Sequence, residues 1–339
     1  MINNDEYRVV YASDDNFSEV MGISIVSLLD NNKEAKNINI YILDSGISET
    51  NKENIRAICK SYERNEPIFI EAINIEKKLN MSVQLDRGSV TQYARLFISE
   101  LLPKEIERVL YLDCDIIVNK SLTELWNLNL NGKTIAALMD AFSKYYRKNI
   151  ELNDSDIMFN SGVMLIDLER WKKLNIEDKL INFIKRNNGK IQQGDQGVLN
   201  AVLSNETYCF EPRFNLVTIF CDFTYKDMLI YRKPPYYYDE ELIKKAITDP
   251  VIIHYTTSFL SERPWIDGCN HKYVDLWIKY REMSPWAKQS LRENNNKFKK
   301  IFMRIYNTLP YKVSLSIVSF LQVYVRPLKR QLINKMGLL

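Results

Sequence analysis

The sequence predicts a doubly wound α/β sheet, in which helices cover both faces of a largely parallel sheet. Short runs of β-branched and aromatic residues alternate with longer segments of helical periodicity. The first four runs are almost continuously apolar, which is typical of strands that are buried on both faces. With 339 residues, of which 46% are hydrophobic, the chain is long enough for one large domain with an appendage or for two domains.

The local patterns place the elements in order along the chain. Strands are predicted at 7–12, 38–43, 67–75, 108–112, 134–139 and 250–255. Helices are predicted at 18–31, 50–65 and 167–187. Thr50 and Glu53 have the spacing of a capping box at the start of the second helix. For the third helix the pattern predicts an inner face of Leu168, Trp171, Leu174, Leu180, Phe183 and Ile184.

Charge is distributed unevenly along the chain. No acidic residue follows Glu293, whereas nine basic residues do: Lys297, Lys299, Lys300, Arg304, Lys312, Arg326, Lys329, Arg330 and Lys335. The rest of the chain contains 37 Lys and Arg against 43 Asp and Glu, so a mildly acidic body carries a strongly basic tail. This asymmetry indicates an anionic surface as a partner, and we predict no nucleic-acid partner.

Large apolar residues are interspersed with the basic ones in the segment 286–339. Its charge-free stretch between Lys312 and Arg326 has 13 residues, fewer than the about 20 that a membrane-spanning helix needs. We therefore predict that 286–339 is an amphipathic segment that lies in the interfacial plane of an anionic membrane. The alternative is a pair of C-terminal helices that packs on the body of the protein.

The cysteines and the first residues bear on location. Five scattered cysteines without CxxC spacing indicate reduced thiols and argue against both a disulfide scaffold and a zinc site. The polar opening "MINNDEYRVV" leads directly into a strand, so no signal peptide is expected. Together with the basic tail, these observations predict a cytoplasmic protein that is peripheral at the inner face of the cell membrane.

Two carboxylates are set into the apolar run "LYLDCDIIV" at 110–118. Asp113 and Asp115 follow the strand 108–112, and the two-residue period of a strand places them on one face, where their charges repel. A divalent cation with oxygen ligands, such as Mn²⁺ or Mg²⁺, would relieve this repulsion. A solvated acidic turn is the alternative, although the apolar flanks disfavour it. The pair therefore predicts a metal site at the carboxyl end of a strand, where open α/β sheets bind ligands.

A histidine offers a third ligand for this site. His254 ends the predicted strand 250–255, which would bring it to the same edge of the sheet as the aspartates. Imidazole is an accepted ligand of Mn²⁺. The alternative is a polar residue at a strand end that satisfies only local hydrogen bonds. Asp113, Asp115 and His254 are thus the predicted metal ligands.

The loop "ASDDNF" after the first strand is a candidate nucleotide contact. Its two acids and one asparagine can bind ribose hydroxyls and the edge of a base, and a plain polar loop is the alternative. No GxGxxG follows, so this is not a dinucleotide phosphate loop. A nucleoside diphosphate would instead be held by the metal and by basic groups such as Arg95 and Arg263.

Seven ordered motifs carry a resemblance to a known family. They are "YASDDNF", "TQYARLFISELLP", "RVLYLDCDIIV", "FNSGVMLIDLERW", "GDQGVLN", "RFN" and "IIHYTTSFLSERPW". In order and rough spacing the chain resembles family 8 of the retaining glycosyltransferases, over roughly residues 7 to 285. The resemblance implies a GT-A fold with a mixed, doubly wound sheet and a Rossmann-like nucleotide-binding half at 1–285. It also implies Mn²⁺ and a UDP-galactose or UDP-glucose donor, with a glycan on lipid or protein as acceptor.

The resemblance also assigns roles to individual residues. It makes Asp113 and Asp115, with Cys114 between them, the metal-binding DxD, and His254 the distant metal ligand. Asp14, Asp15 and Asn16 fall in its uridine-binding segment, and Arg95 lies near the donor sugar and diphosphate. The residues that it places around the donor hexose and the reacting carbon are Asp140, Asn160, Asp195 and Gln196.

The stretch after the histidine departs from the family pattern. "TTSFLSE" is longer than the family's segment and contains no glycine, Thr257 stands where the family has a glycine near the phosphates, and Arg263 replaces a lysine. Arginine still neutralises a diphosphate, although it does so as a planar fork rather than as a point charge. The phosphate side of the site is therefore where donor or acceptor preference is expected to differ.

The resemblance implies hexosyl transfer with retention at the anomeric carbon. Asp195 is the acidic candidate for a covalent route, and Gln196 beside it is a weak nucleophile. We favour a front-face route, in which the departing phosphate oxygen takes the proton of the acceptor. Two other functional classes stay open at this point, namely a DxD metal-dependent phosphohydrolase and a non-catalytic sugar-binding module. The sequence does not separate galactose from glucose.

Overall fold

The strands form two sheets rather than one. A computed structural model of the chain describes residues 6–85 and 90–336. Within these residues there are ten strands: β1 (Glu6–Ser13), β2 (Asn37–Asp44), β3 (Ile68–Glu71), β4 (Arg108–Leu112), β5 (Ile116–Val118), β6 (Ile135–Met139), β7 (Phe159–Asp167), β8 (Thr207–Cys209), β9 (Leu216–Val217) and β10 (Ile252–His254). Seven form a sheet in the order β3-β2-β1-β4-β7-β6-β8, and three form a second sheet in the order β5-β10-β9.

The large sheet contains both parallel and antiparallel strand pairs, and the direction in which strands are added to it reverses at β1. β1 pairs in parallel with β2 on one side and with β4 on the other, so successive strands are added in opposite directions from β1. β7 runs antiparallel to both β4 and β6. The loops that follow β1 and β4 meet at this switch point, which is where open α/β sheets leave a crevice for a ligand. The predicted α/β class is confirmed.

The helices cover the sheets and continue into the C-terminal tail. In the described part of the chain they are α1 (Ser18–Asp30), α2 (Glu49–Ser61), α3 (Ile75–Leu79), α4 (Ile98–Leu101), α5 (Thr123–Trp126), α6 (Lys144–Lys148), α7 (Leu168–Lys173), α8 (Ile176–Arg186), α9 (Gly194–Leu203), α10 (Thr218–Asp222), α11 (Tyr225–Arg232), α12 (Glu240–Thr248), α13 (Val274–Glu282), α14 (Lys297–Thr308), α15 (Tyr311–Phe320) and α16 (Arg326–Met336). A 3₁₀ segment, Thr91–Phe97, carries Arg95, and a π-helical turn, Leu321–Val325, joins α15 to α16.

Helix α1 is almost entirely buried because it lies between the two sheets. It contacts β1 of the large sheet, β5 of the small sheet and α13. A helix that is packed on several sides does not need a polar face toward solvent. In α1 only Glu19 and the last residue, Asp30, are partly exposed. The hydroxyl of Ser27 donates to the backbone of α1 and accepts from the amide of Val118 in β5, so it joins the helix to the small sheet.

Two helix boundaries differ from the prediction. Helix α2 begins at Glu49, and its N-cap is Ser48, whose hydroxyl accepts from the amide of Asn51; the predicted capping box at Thr50 is wrong. The predicted helix 167–187 is two helices, because Asn175 adopts a left-handed conformation with φ of 50° between them. The predicted inner-face residues are nevertheless buried, except for Leu174 at the break.

Two strand predictions also need correction. The strand predicted at 67–75 is limited to β3, which is an edge strand rather than one covered on both faces, and its Ile68 is 47% exposed. The strand that carries His254 belongs to the small sheet, where β10 pairs with β5 and β9. His254 therefore reaches the site from a second sheet and not from a neighbouring strand of the first. Periodicity identifies a strand but not its partner.

The tail folds back onto the body as helices. Helix α15 packs against α11. Four apolar side chains of the tail are buried, namely Tyr306, Leu315, Val318 and Val323. Two of its side chains fasten it by hydrogen bonds, since the hydroxyl of Ser319 donates to the carbonyl of Ile230 and Gln322 donates to Tyr146. Over residues 6–85 and 90–336, no helix has the length and apolar character that crossing a bilayer requires.

Candidate active site

Three metal-ligating side chains converge where β4 passes into β5. One ligand atom from each of Asp113, Asp115 and His254 lies within 4.8 Å of the other two. His254 Nε2 is 3.1 Å from Asp115 Oδ1 and 3.7 Å from Asp113 Oδ2. Asp115 and His254 are 5% and 2% exposed, so two carboxylates and an imidazole face one another with little water to screen them. Such a donor set fits a divalent cation of the Mn²⁺ type.

A histidine must present a lone pair to bind a metal, and Asn215 fixes the tautomer that does so. His254 Nδ1 lies 3.0 Å from Asn215 Oδ1, which can only accept a hydrogen bond. Nδ1 therefore carries the proton, and the lone pair of Nε2 points toward the aspartates. Asn215 is fully buried, and its amide nitrogen donates to Asn160 Oδ1 at 3.0 Å.

A bulge in β7 shapes the floor of the site. The pairing of β6 with β7 shifts register between Ala137 and Leu138, which leaves extra residues in β7 after Asn160. Gly162 lies in this bulge, where its carbonyl accepts from the amide of Asp113 and its own amide donates to Asn160 Oδ1. A β-carbon on Gly162 would overlap the His254 ring and lie 2.8 Å from Asp113 Oδ2. Glycine is required because a side chain here would collide with His254 and Asp113, two of the three candidate metal ligands.

Arg95 is buried between two carboxylates. Its Nη2 lies 2.9 Å from Asp113 Oδ1, its Nε lies 2.9 Å from Asp195 Oδ2, and its Nη1 donates to the carbonyl of Ser161. Burial alone would lower the pKa of Arg95, but the charges of Asp113 and Asp195 outweigh it and raise that pKa above its usual value. The guanidinium therefore holds the candidate metal ligand Asp113 and the predicted catalytic residue Asp195 in place together. These two carboxylates largely neutralise the positive charge of Arg95.

A pocket of about 830 Å³ opens beside this cluster. Of the predicted site residues, those that line it are Arg95, Asp113, Asp140, Asn160, Asp195, Gln196, Thr257 and Arg263. These residues come from the 3₁₀ segment Thr91–Phe97, β7, the start of α9 and the loops after β4, β6 and β10. The structure thus brings together side chains that are up to 168 positions apart in sequence. The pocket is large enough for a sugar nucleotide.

Hydrogen bonds join part of the polar lining of the pocket to the candidate metal ligands. Asn160 links Asn215 to Asp140, whose side chain it also hydrogen-bonds. Burial raises the pKa of Asp140 above its usual value, an effect that the nearby charge of Arg232 partly opposes. Gln196 accepts from the amide of Ser161 at 3.2 Å. These hydrogen bonds fix the positions of Asn160, Asp140 and Gln196 around the cavity.

Other predicted residues lie outside the lining of the pocket. The carboxylate of Asp14 caps the 3₁₀ turn Asp15–Phe17 by accepting from the amide of Phe17. The carboxylate of Asp15 accepts from the amide of Ser48 and from Asn51, contacts that lower its pKa and tie the loop to α2. The carbonyl of Asn16 accepts from Arg292, and Cys114 donates to the carbonyl of Ala12. Nucleotide contacts by these four residues stay a prediction, and Asp15 already has a structural role.

The loop 256–263, where the sequence departs from the family pattern, is held from two sides. Arg263 lies 3.5 Å from Asp115 Oδ2 and donates to Thr257 Oγ1 at 2.6 Å. On one side, the carboxylate of Asp222 accepts from the hydroxyls of Ser258 and Ser261. On the other, Lys299 of α14 donates to the carbonyls of both serines at 3.0 and 2.9 Å and pairs with Glu262 at 2.9 Å. The basic tail therefore fastens the loop that carries Arg263.

Sequence reasoning missed several residues of the site. Asn215 lies in the quoted motif "RFN" but received no role, because nothing local shows that it contacts His254. Lys299 was counted among the tail's basic residues, yet its side chain turns inward and is only 15% exposed. The other tail residues on the pocket wall are Asn296, Phe298, Phe302, Gln322 and Arg326. No signal in the sequence distinguishes these residues from the rest of the tail.

Fold and site together define a glycosyltransferase of the GT-A class. The family model described as "Glycosyl transferase family 8" matches residues 8–269, which is more than half of the chain. The chain therefore belongs to glycosyl transferase family 8, and the resemblance read from the seven motifs is confirmed. Its functional class is that of an enzyme that transfers glycosyl groups.

Curated relatives cover most of the chain. "General stress protein A" of Bacillus subtilis is 29% identical over 290 residues, which are 84% of this chain and 96% of that protein. A "Putative glycosyltransferase" of Haemophilus influenzae is 32% identical over 67% of this chain and 68% of its own length. A "Lipopolysaccharide 1,2-glucosyltransferase" of Escherichia coli K12 is 28% identical over 90% of this chain and 87% of its own length.

Solved structures confirm the fold. The galactosyltransferase LgtC, in complex with donor and acceptor sugar analogues, is similar with a TM-score of 0.67 and 24% identity, over 82% of this chain and 96% of that one. The glycosyltransferase GlyE of Streptococcus pneumoniae is similar with a TM-score of 0.58 and 24% identity, over 83% of this chain and 61% of that one. The architecture that these structures share is the predicted GT-A fold.

Proposed function

We propose that the protein is a retaining, Mn²⁺-dependent hexosyltransferase that moves galactose or glucose from a UDP-sugar to a growing surface glycan. The observation that carries the proposal is the convergence of Asp113, Asp115 and His254 at the edge of a pocket of about 830 Å³. Mg²⁺ is the alternative metal, since it accepts the same oxygen ligands. The relative named as a lipopolysaccharide glucosyltransferase supports assembly of lipopolysaccharide or capsule as the setting.

The reaction needs stabilisation of the departing UDP. When bound, the cation acts as a Lewis acid toward the diphosphate. Arg263 lies in the pocket 3.5 Å from Asp115 and supplies a further positive charge on the same side. Thr257 accepts a hydrogen bond from Arg263 and so orients its guanidinium. In this proposal Arg95 acts differently, because its charge is already paired with Asp113 and Asp195 and it positions those carboxylates.

Around the donor hexose, we propose that Asp140, Asn160, Asp195 and Gln196 bind hydroxyl groups. All four line the pocket, and the hydrogen bonds of Asn160 connect this group to His254 through Asn215. The ion pair with Arg95 holds Asp195 in place and reduces its availability for covalent attack. This favours the front-face route, in which the leaving phosphate oxygen takes the acceptor's proton. We also propose that Asp14 and Asn16 contact the uridine of the donor.

A panel of sugar nucleotides tests the function directly. We expect slow UDP release without acceptor, by transfer to water, when the protein is incubated with Mn²⁺ and UDP-galactose, UDP-glucose or their N-acetyl forms. One hexose should be preferred, and chelation of the metal should stop release. A phosphohydrolase would instead release phosphate from simple esters, and a sugar-binding module would bind without turnover. Absence of both turnover and Mn²⁺-dependent UDP binding would contradict the proposal.

We also propose that residues 1–285 are the catalytic domain and that the tail, 286–339, holds the enzyme at an anionic membrane on the cytoplasmic side. Although the tail packs on the body, many of its apolar side chains are exposed: Phe298, Ile301, Ile305, Leu309, Tyr311, Val313, Ile317, Phe320, Leu321, Val325, Leu328 and Leu332. Lys297, Lys300, Arg304 and Lys312 are exposed as well. Exposed apolar and basic side chains in one segment are what interfacial binding needs.

Vesicle sedimentation tests the membrane proposal. The paired change Ile301→Ser and Ile305→Ser removes two exposed apolar side chains from α14, and we expect binding to vesicles of phosphatidylglycerol and phosphatidylcholine to weaken about tenfold. Phosphatidylcholine vesicles should bind weakly throughout, since they lack the anionic charge. The matched control is Ile68→Ser with Leu85→Ser, two exposed apolar residues outside the tail. Equal weakening by both pairs would refute the tail as the membrane contact.

A further inference from the structure

An apolar groove adjoins the catalytic pocket. Its volume is about 310 Å³, and it lies between α11, α14 and the segment that joins α15 to α16. Its lining residues are Tyr231, Phe259, Phe302, Val318, Leu321, Gln322, Val325, Arg326 and Lys329. Tyr231, Phe259, Phe302, Gln322 and Arg326 line the catalytic pocket as well. The two cavities therefore adjoin each other and have these five lining residues in common.

The wall between the cavities is a rigid aromatic cluster. The ring of Phe259 packs against Tyr231 at 5.6 Å, Phe302 at 5.6 Å and Tyr306 at 5.5 Å, measured between ring centroids. Lys299, one turn before Phe302, fixes the loop that carries Phe259 through its bonds to Ser258 and Ser261. The groove is therefore built by the fold and does not depend on a mobile surface side chain.

Positive charge stands at the rim of this apolar groove. Arg326 and Lys329 are exposed, and neither forms an ion pair with any carboxylate among the described residues. Arg232 lies on the pocket side of the junction, where its guanidinium stacks on Phe142 at 4.7 Å. These cations are distinct from Arg263 at the donor diphosphate. A ligand that fills both cavities would meet an anion-binding position between a polar sugar site and an apolar channel.

From this arrangement we infer that the groove binds the lipid part of an anionic glycolipid acceptor. The inference rests on the proposed hexosyl transfer and adds the chemical class of the acceptor. The sugar end occupies the pocket, an anionic group lies at Arg326 and Arg232, and the hydrocarbon chain follows the groove toward Leu321 and Val325. Both of these side chains are part of the exposed apolar surface of the tail. A polypeptide acceptor would need hydrogen-bond partners for its backbone that the largely apolar walls do not supply.

Binding of simple amphiphiles tests the groove without knowledge of the natural acceptor. The probe is decyl phosphate below its micelle concentration, measured by titration calorimetry on the full-length protein. Methyl phosphate lacks the chain, and decyl maltoside lacks the charge. We expect decyl phosphate to bind at least about tenfold more tightly than methyl phosphate, because several methylene groups leave water on binding.

Two variants, each with a matched control, locate the site. Val325→Trp fills the groove at a partly exposed position and should weaken decyl phosphate binding about tenfold, whereas Val313→Trp, at an exposed tail position outside the groove, should not. Arg326→Gln should weaken decyl phosphate about fivefold and leave decyl maltoside unchanged. Arg304→Gln, a change at another exposed tail arginine, should leave both unchanged.

The outcomes separate this inference from the proposed function. If decyl phosphate binds no better than methyl phosphate, the groove does not hold a lipid chain, and an acceptor on protein is indicated. If Val313→Trp weakens binding as much as Val325→Trp, the probe adsorbs to the outer tail surface and the inference is wrong. UDP release from sugar nucleotides is measured in parallel on the unaltered protein. Its persistence in either case would leave the transferase proposal standing.

Discussion

Replacement of Asp115 by asparagine is expected to reduce Mn²⁺-dependent UDP release by about a thousandfold or more. Asp115 is 5% exposed and lies 3.1 Å from His254 Nε2, so its carboxylate is central to the cluster. Asparagine keeps the size of the side chain but removes a charged ligand. Asp113 is a less clean target, because its replacement would also break the ion pair with Arg95 at 2.9 Å. The measurement is the initial rate of UDP release from the preferred donor at several Mn²⁺ concentrations.

Thermal unfolding separates loss of the metal from loss of the fold. Without metal, Asp115→Asn relieves repulsion between the buried Asp115 and the partly exposed Asp113, so the variant should unfold at the same temperature as the unaltered protein or above it. Saturating Mn²⁺ at a hundred times its Kd should stabilise the unaltered protein by about 2.7 kcal/mol and the variant far less. Asp275→Asn, at an exposed position on α13, is the control and should respond like the unaltered protein. Equal stabilisation of all three proteins by Mn²⁺ would remove Asp115 from the metal site.

Replacement of Gly162 by alanine is expected to lower Mn²⁺ affinity on the order of a hundredfold, although glycine binds no metal itself. The added β-carbon would overlap the ring of His254 and lie 2.8 Å from Asp113 Oδ2. The backbone has little room to retreat, because Gly162 accepts from the amide of Asp113 at 2.8 Å and donates to Asn160 at 3.1 Å. At least one metal ligand must therefore move. Calorimetric titration with Mn²⁺ measures the loss.

The same variant should lose about 1–3 kcal/mol of stability, as overpacked sites do. Gly22→Ala provides a control, since its β-carbon would overlap the ring of Trp286 and none of the three metal ligands is among its nearest atoms. We expect Gly22→Ala to be destabilised to a similar extent, with the Mn²⁺ affinity of its folded fraction unchanged. A parallel loss of affinity in both variants would mean that general destabilisation, rather than contact with His254 and Asp113, weakens the metal site.

The α/β class and the candidate metal ligands can both be predicted from local patterns in the sequence. These features are local: the strand 108–112 is apolar, Asp113 and Asp115 end it, and a polar residue at the end of an apolar run is visible without any knowledge of packing. The order of seven motifs then identified the family, which the family model confirmed over residues 8–269. The sequence predicts the ends of elements less accurately: the N-cap of α2 is Ser48 rather than Thr50, and the predicted helix 167–187 is broken at Asn175.

Contacts between groups that are distant in sequence become visible only in the folded chain. His254 arrives from a second sheet, Asn215 sets its tautomer, and Arg95 joins Asp113 to Asp195, which is 82 positions further along the chain. The tail's composition indicated a membrane contact, yet composition does not show that Lys299 turns inward to hold the loop of Arg263 or that Phe302 lines two adjoining cavities. Such contacts depend on loop closure and on how whole elements pack, and neither leaves a periodic signal in the chain.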